Sequence, residues 1–161
     1  MSVCSWQRTL SKTEYLNKLY DFNEMLASFS FNIPKIYKNS YLDYAIKGGL
    51  ETFEMFYVAN GILINNYTSD SDFKERKQLL RKGIAKLNGV MSNMSIFIDH
   101  LEKSPDLNKE KFSKYKENLS LKVADIENMV RKVIQYGDDQ QKKVKQERNA
   151  RKKLSLENIS E

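Results

Sequence analysis

The stretch LLRKGIAKLNGVMSNMSIFIDHL, residues 79–101, decides the fold. Leu80, Ile84, Leu87, Met91, Met94, Ile98 and Leu101 recur through it at alternating intervals of four and three, without exception. At the pitch of an α-helix those intervals place every one of these side chains on a single face. A seam that regular belongs to a helix packed nearly parallel or antiparallel to its neighbours. The rest of the chain must therefore supply partners for it.

Upstream, NNYTSDSD (65–72) is a cluster of turn and capping residues that ends one helix and opens the next. The helix before it restarts at Ser40 with Asp43. Its apolar stripe runs through Leu42, Ile46, Gly49, Phe53, Tyr57 and Ile64, and Ala45, Phe56, Ala59 and Leu63 widen it. Further upstream, FNIPKIYKNS (31–40) holds one of only two prolines. Pro34 lacks a backbone N–H and drives Ile33 out of the helical region, so the first helix stops near Phe31. That helix is expected to open at Ser11, with Glu14 completing a capping box, and to align Tyr15, Leu19, Phe22, Leu26 and Phe29. Downstream, KSPDLN (103–108) breaks the chain at Pro105, and Asn108 caps a fourth helix built on Phe112, Tyr115, Leu119, Val123, Ile126, Val130 and Val133. Gly137 followed by Asp138 and Asp139 reads as its stop.

The expected architecture is all-α, an antiparallel up-down-up-down four-helix bundle over residues 11–136. Residues 1–10 form an N-terminal extension, and 137–161 form a basic C-terminal tail that is frayed helix or disordered. The third helix is expected to be the longest and the first the shortest. Surface left uncovered by a short first helix suits a homo-oligomer.

Composition agrees with one helical domain. The 161 residues are 40% apolar and 30% charged, with six Gly and two Pro. No apolar run approaches the ~20 residues of a membrane span. The N-terminal MSVCSWQRTL has no basic stretch followed by an apolar core, so no secretory signal is read and the protein is expected in the cytoplasm. Cys4 is alone and reads as a plain thiol.

The sequence fits none of the catalytic or metal patterns that helical bundles commonly carry. A carboxylate-bridged metal pair in a bundle needs Glu-x-x-His on two helices. The only histidine is His100, Phe97 occupies the glutamate position, and His100 falls opposite the apolar seam. Glu51 and Glu54 lie three apart, with no second carboxylate pair to support acid-base work. No arginine stands close upstream of His100 as a HEPN-type ribonuclease requires, and there is no glycine-rich phosphate loop. The chain therefore reads as a non-enzyme without cofactor or metal.

Charge is more telling. The net +6 is carried by Lys142 to Lys153, KKVKQERNARKK, which holds seven basic residues and one acid and leaves 20 of each in the remainder. Lys142, Lys143, Lys145, Arg148, Arg151, Lys152 and Lys153 are candidate phosphate contacts, since clustered cations gain affinity for nucleic acid by counterion release. Lys74, Arg81, Lys82 and Lys86 form a second candidate patch, away from the seam of the third helix. The tail lacks the apolar face that membrane insertion requires. Beyond the second patch, Ala85, Gly89, Ser92 and Ile96 form a mostly small-residue stripe, read as an oligomer or partner interface.

IPKIYKNSYLDYAIKGGLETFEMFYVAN (33–60) and ERKQLLRKGIAKLNGVMSNMSIFIDHL (75–101) together resemble the accessory variability proteins of diversity-generating retroelements. They are also similar to the related four-helix-bundle proteins encoded in ribosomal RNA intervening sequences. Pro34-Lys35, Leu50-Glu51 with its apolar continuation through Ala59, and Leu80, Ala85 and Leu87 carry the resemblance. It implies a homopentamer that binds a reverse transcriptase and its template RNA, with the cDNA as a further ligand, and supports mutagenic copying without being catalytic. The family often places arginine or lysine midway along the third helix, where this chain has Asn88 and Ser92. The alternative is a structural interaction bundle of the intervening-sequence type that does not bind nucleic acid.

Overall fold

A computed structural model describes the backbone of residues 5–35, 40–104 and 108–157, and the side-chain surroundings within 13–35, 41–104 and 108–152. It consists of α1 (Ser5–Asn32), α2 (Ser40–Gly61), α3 (Asp70–Glu102) and α4 (Lys109–Glu157), with no strand among the described residues. Each helix packs on the next and α4 closes back on α1. Cross-helix pairs fix the directions. Asn23 meets Gly49, Arg76 meets Ala59, Lys77 meets Asp138, Lys116 meets Asp99, and Lys18 meets Asp125. With Tyr15 meeting Phe56, Gly83 meeting Phe56, Gly48 meeting Val90 and Tyr115 meeting Met25 as second contacts, one number falls as the other rises in each neighbouring pair, so the bundle is antiparallel throughout.

The core is continuous from end to end. Tyr15, Leu19, Phe22 and Leu26 of α1 face Leu42, Ala45 and Phe56 of α2, Leu80, Leu87, Met94 and Ile98 of α3, and Leu119, Ile126 and Val130 of α4. The α3 seam is buried as its spacing predicts except for Met91, which is half-buried, and Val90 and Phe97 broaden it. The α2 stripe lies to one side of its predicted line. Leu42, Ala45, Gly48, Thr52, Phe56 and Ala59 are buried, whereas Tyr57 and Leu63 are exposed. Two glycines explain the shift. A Cβ at Gly48 would lie 2.5 Å from Val90 Cγ2, and one at Gly83 would lie 2.2 Å from Phe56 Cε1. Bare backbone at these positions lets α2 and α3 approach closely, and the closest-approach line becomes the buried one.

Element ends follow from local chemistry. Ser69 and Asp72 form a reciprocal capping box at the start of α3. Asn108 Oδ1 accepts from the Lys111 N–H at the start of α4, 3.1 Å away. At the end of α2, Ala59 belongs to the last turn, whose carbonyls lack intrahelical donors, and that turn has no basic residue of its own. Arg76 of α3 supplies both needs, its Nε donating to the Ala59 carbonyl at 3.0 Å and its charge meeting the negative end of the α2 dipole. Burial lowers the pKa of this guanidinium from its ordinary value.

Four expectations about extent are corrected. Ser11 lies inside α1, which begins at Ser5, so 5–10 belong to a helix rather than to an extension. The shortest helix is α2, with 22 residues against 28 in α1. The longest is α4, with 49 against 33 in α3. It is long because Gly137 does not end it. Asp138 pairs with Lys77, Gln141 reaches Asp70, and Val144 is buried, so tertiary contacts on the far side of the glycine outweigh its low helix propensity of about 1 kcal/mol. The part of the tail through Glu157 is thus helix continuous with α4. Cys4, Lys38 and Pro105 lie outside the described residues.

Candidate nucleic-acid interface

Several of the α4 basic residues gather where α2 turns into α3. The turn is held by its own side chains. Asn65 N–H donates to Thr68 Oγ1 at 2.7 Å, Thr68 Oγ1 donates to the Leu63 carbonyl at 3.0 Å, and Tyr67 N–H donates to Asn65 Oδ1 at 2.8 Å. The far part of α4 lies against this turn. Val144 is buried there, Arg148 Nη2 donates to the Thr68 carbonyl at 2.8 Å, and Gln141 Nε2 donates to Asp70 Oδ1 at 3.1 Å. The Gln141 hydrogen bond, helped by the charges of Lys145 and Arg148, holds the Asp70 carboxyl below its ordinary pKa.

This docking sets Lys145, Arg148, Arg151 and Lys152 of α4 beside Asp70 at the start of α3, whereas Arg81 lies further along α3, opposite Arg131. On α3, Lys74, Arg81 and Lys82 are exposed and pair with no acid among the described residues. On α4, Lys143 and Arg151 are exposed in the same condition. Lys142 lies 3.6 Å from Asp139, and Lys145 lies 3.6 Å from Asp70. Exposed ion pairs of that length are weak, and both ammonium groups remain open to solvent. Lys145, Arg148, Arg151 and Lys152 line a shallow groove of about 480 Å³ with Asp70. Lys153 is helical, but its side-chain surroundings lie outside those described.

Lys86 does not belong to this surface. Its Nζ lies 2.6 Å from Glu51 and 5.2 Å from the centre of the Tyr44 ring, so it ties α3 to α2. The shared hydrogen bond raises the Lys86 pKa and lowers that of Glu51. Glu51 is thereby a structural partner.

Residues that periodicity did not single out complete the picture. Arg131 and Gln135 of α4 face Arg81, Ala85 and Asn88 of α3 across a groove of about 430 Å³. Arg131 is bound to Glu127, Nε to Oε1 at 2.9 Å, and Glu127 also accepts from Asn88 at 3.3 Å. These contacts lower the Glu127 pKa. Asn88 thus serves α3–α4 cohesion. Only the fold brings Arg131 opposite Arg81.

The predicted interface stripe is open. Ala85, Ser92 and Ile96 are exposed and Gly89 is half-buried. A Cβ at Gly89 would meet only the Tyr44 hydroxyl, at 3.9 Å, so nothing among the described residues requires glycine there.

A concavity of about 560 Å³ lies elsewhere, between α1 and α4. Its floor includes Met25, Phe29 and Tyr115, with the last two rings stacked at 4.1 Å and Tyr115 Oη donating to the Met25 carbonyl at 2.7 Å. Burial raises the Tyr115 pKa well above its ordinary value. Asp21 and Glu24 edge one wall, and Lys111 and Lys122 edge the other. No nucleophile-base pair lines it. Among the described residues no cluster of His, Cys, Asp or Glu is arranged to hold a metal ion, and no helix is long and apolar enough to cross a membrane. Comparison with protein-family models, curated proteins and solved structures gives no match for this chain.

Proposed function

We propose that this chain is a non-catalytic, nucleic-acid-binding accessory subunit whose basic end grips phosphate backbone. What supports this reading is the set of exposed cations, Lys74, Arg81 and Lys82 of α3 with Lys143 and Arg151 of α4, none with an acidic partner among the described residues. Lys142, Lys145, Arg148 and Lys152 stand beside them. A polyanion laid across this end displaces its condensed counterions, which needs cations in register and no sequence readout.

The resemblance to accessory variability proteins supplies the finer part of the proposal. In that role the protein is a cytoplasmic companion of a reverse transcriptase, holding template RNA and cDNA during mutagenic copying. It works as a homo-oligomer, a pentamer by resemblance, with the open Ala85–Ile96 stripe available to a second copy. Measuring native mass with and without a co-expressed retroelement reverse transcriptase tests it. A pentamer that captures the polymerase and shifts RNA at physiological salt is expected; a monomer that captures nothing overturns the accessory role.

A second reading is favoured by the α1–α4 cleft, whose aromatic floor and oppositely charged walls suit a helix from a protein partner. In that case the protein is a structural interaction bundle and shifts no RNA at physiological salt.

A further inference from the structure

The basic end carries one aromatic residue that the bundle does not use. Tyr67 is 89% exposed at the tip of the α2–α3 turn. An exposed tyrosine alone has no significance. This one differs because its backbone is fixed and its neighbours are cationic. Its N–H is bound by Asn65 Oδ1, and the next residue, Thr68, is bound through its hydroxyl to Leu63 and through its carbonyl to Arg148. The ring thus stands on a preorganised turn. Between it and α4 is a hollow of about 230 Å³ lined by Asn66, Tyr67, Val144, Glu147, Arg148 and Arg151.

Resting on the nucleic-acid reading above, we infer that this end selects single-stranded over duplex nucleic acid, with Tyr67 as a stacking platform for one unpaired base and Arg151 and Arg148 as its phosphate contacts. A base inside a duplex is already stacked on both faces and offers none to a protein ring, whereas an unpaired base can splay out onto tyrosine. Stacking uses the π-face common to all bases, so the preference is for strandedness and not for sequence. Arg148 spends one N–H on Thr68 and retains others for phosphate. Glu147, on the same wall, disfavours phosphate beside it and biases the backbone toward Arg151. The Val144 side chain gives the hollow an apolar base.

The test compares a short mixed-sequence single-stranded RNA with its blunt duplex, using full-length wild type, Tyr67→Ala and Tyr67→Phe at physiological salt. Wild type is expected to prefer the single strand. Tyr67→Ala is expected to weaken single-strand binding roughly 5- to 100-fold, change duplex binding less than about twofold, and leave helix content unaltered. Tyr67→Phe keeps the ring and is expected to bind as wild type does. If wild type binds RNA but Tyr67→Ala binds the single strand equally well, or loses both forms alike, the stacking inference fails while phosphate binding stands. A wild type that binds neither form overturns the nucleic-acid reading and this inference with it.

Discussion

The α2–α3 seam and the part of α4 beyond Gly137 are both helical, yet they are held in different ways. In the seam, backbone meets side chain. Gly83 receives the Phe56 ring and Gly48 receives Val90, with Leu80, Leu87 and Met94 fully buried around them. Beyond Gly137 the chain buries Val144 and otherwise relies on polar links such as Lys77–Asp138, Gln141–Asp70 and Arg148–Thr68. The first region is fixed by shape and tolerates little. The second is fixed by a few directional contacts and leaves its remaining cations facing outward. The seam is thus held by shape, while the α4 cations available to a partner lie where apolar packing is thinnest.

The largest break in this contrast comes from the seam. Phe56→Ala is expected to lower unfolding free energy by about 3–5 kcal/mol in chemical denaturation. Gly83→Ala overpacks the same contact and is expected to lose about 1–3 kcal/mol, less the ~1 kcal/mol that alanine gains in a helix interior. Made in the Phe56→Ala background, where the ring is absent, Gly83→Ala should be neutral or stabilising. A loss equal to that in the wild-type background would mean that the close approach does not depend on the ring.

The α4 extension should respond locally instead. Val144→Asp places a charge where a methyl pair is buried, so amides of 140–150 should lose hydrogen-exchange protection while those of 80–100 keep theirs. Equal loss in both regions would show that the extension belongs to the cooperative core.

The same contrast explains what was legible in the sequence. The α3 seam could be read outright because Leu80 to Leu101 repeat locally, and the caps at Ser69 and Asn108 are also short-range patterns. The stripe of α2 was misplaced because its centre is set by Gly48 and Gly83, whose meaning depends on residues of another helix. Gly137 was read as a stop because its local chemistry says so. What carries the helix through it are partners such as Lys77, 61 positions from Asp138, and Thr68, 80 positions from Arg148. Of the candidate site, the basic residue types were plain from composition. The grouping of the α4 cations beside Asp70, the diversion of Lys86 to Glu51, and the place of Tyr67 needed the fold.

Smaller tests sharpen the picture at the surface. Gly89→Ala meets only open space beside the Tyr44 hydroxyl and should stabilise the isolated chain by about 0.5–1 kcal/mol. If it instead disrupts the oligomer, the Ala85–Ile96 stripe is a contact between copies. The smallest effect concerns pH. The folded state depresses the Asp70 pKa, so its contribution is complete above the unfolded carboxylate value of about 3.9 and is lost as pH falls through the folded value. Exchange protection at 140–150 should therefore weaken in that acid range, and Asp70→Asn should remove the dependence at once. A dependence that survives the substitution would assign it to another carboxylate.

The most direct test of the central claim is the salt dependence of single-stranded RNA binding. Replacing Lys74, Arg81, Lys82, Lys143 and Arg151 together by glutamine removes exposed charge without touching the core or the Arg148 link. If these residues contact phosphates, the slope of log affinity against log salt should flatten by up to about three, and binding at physiological salt should fall steeply. An unchanged slope in a folded variant would contradict the assignment of the basic end as the nucleic-acid interface.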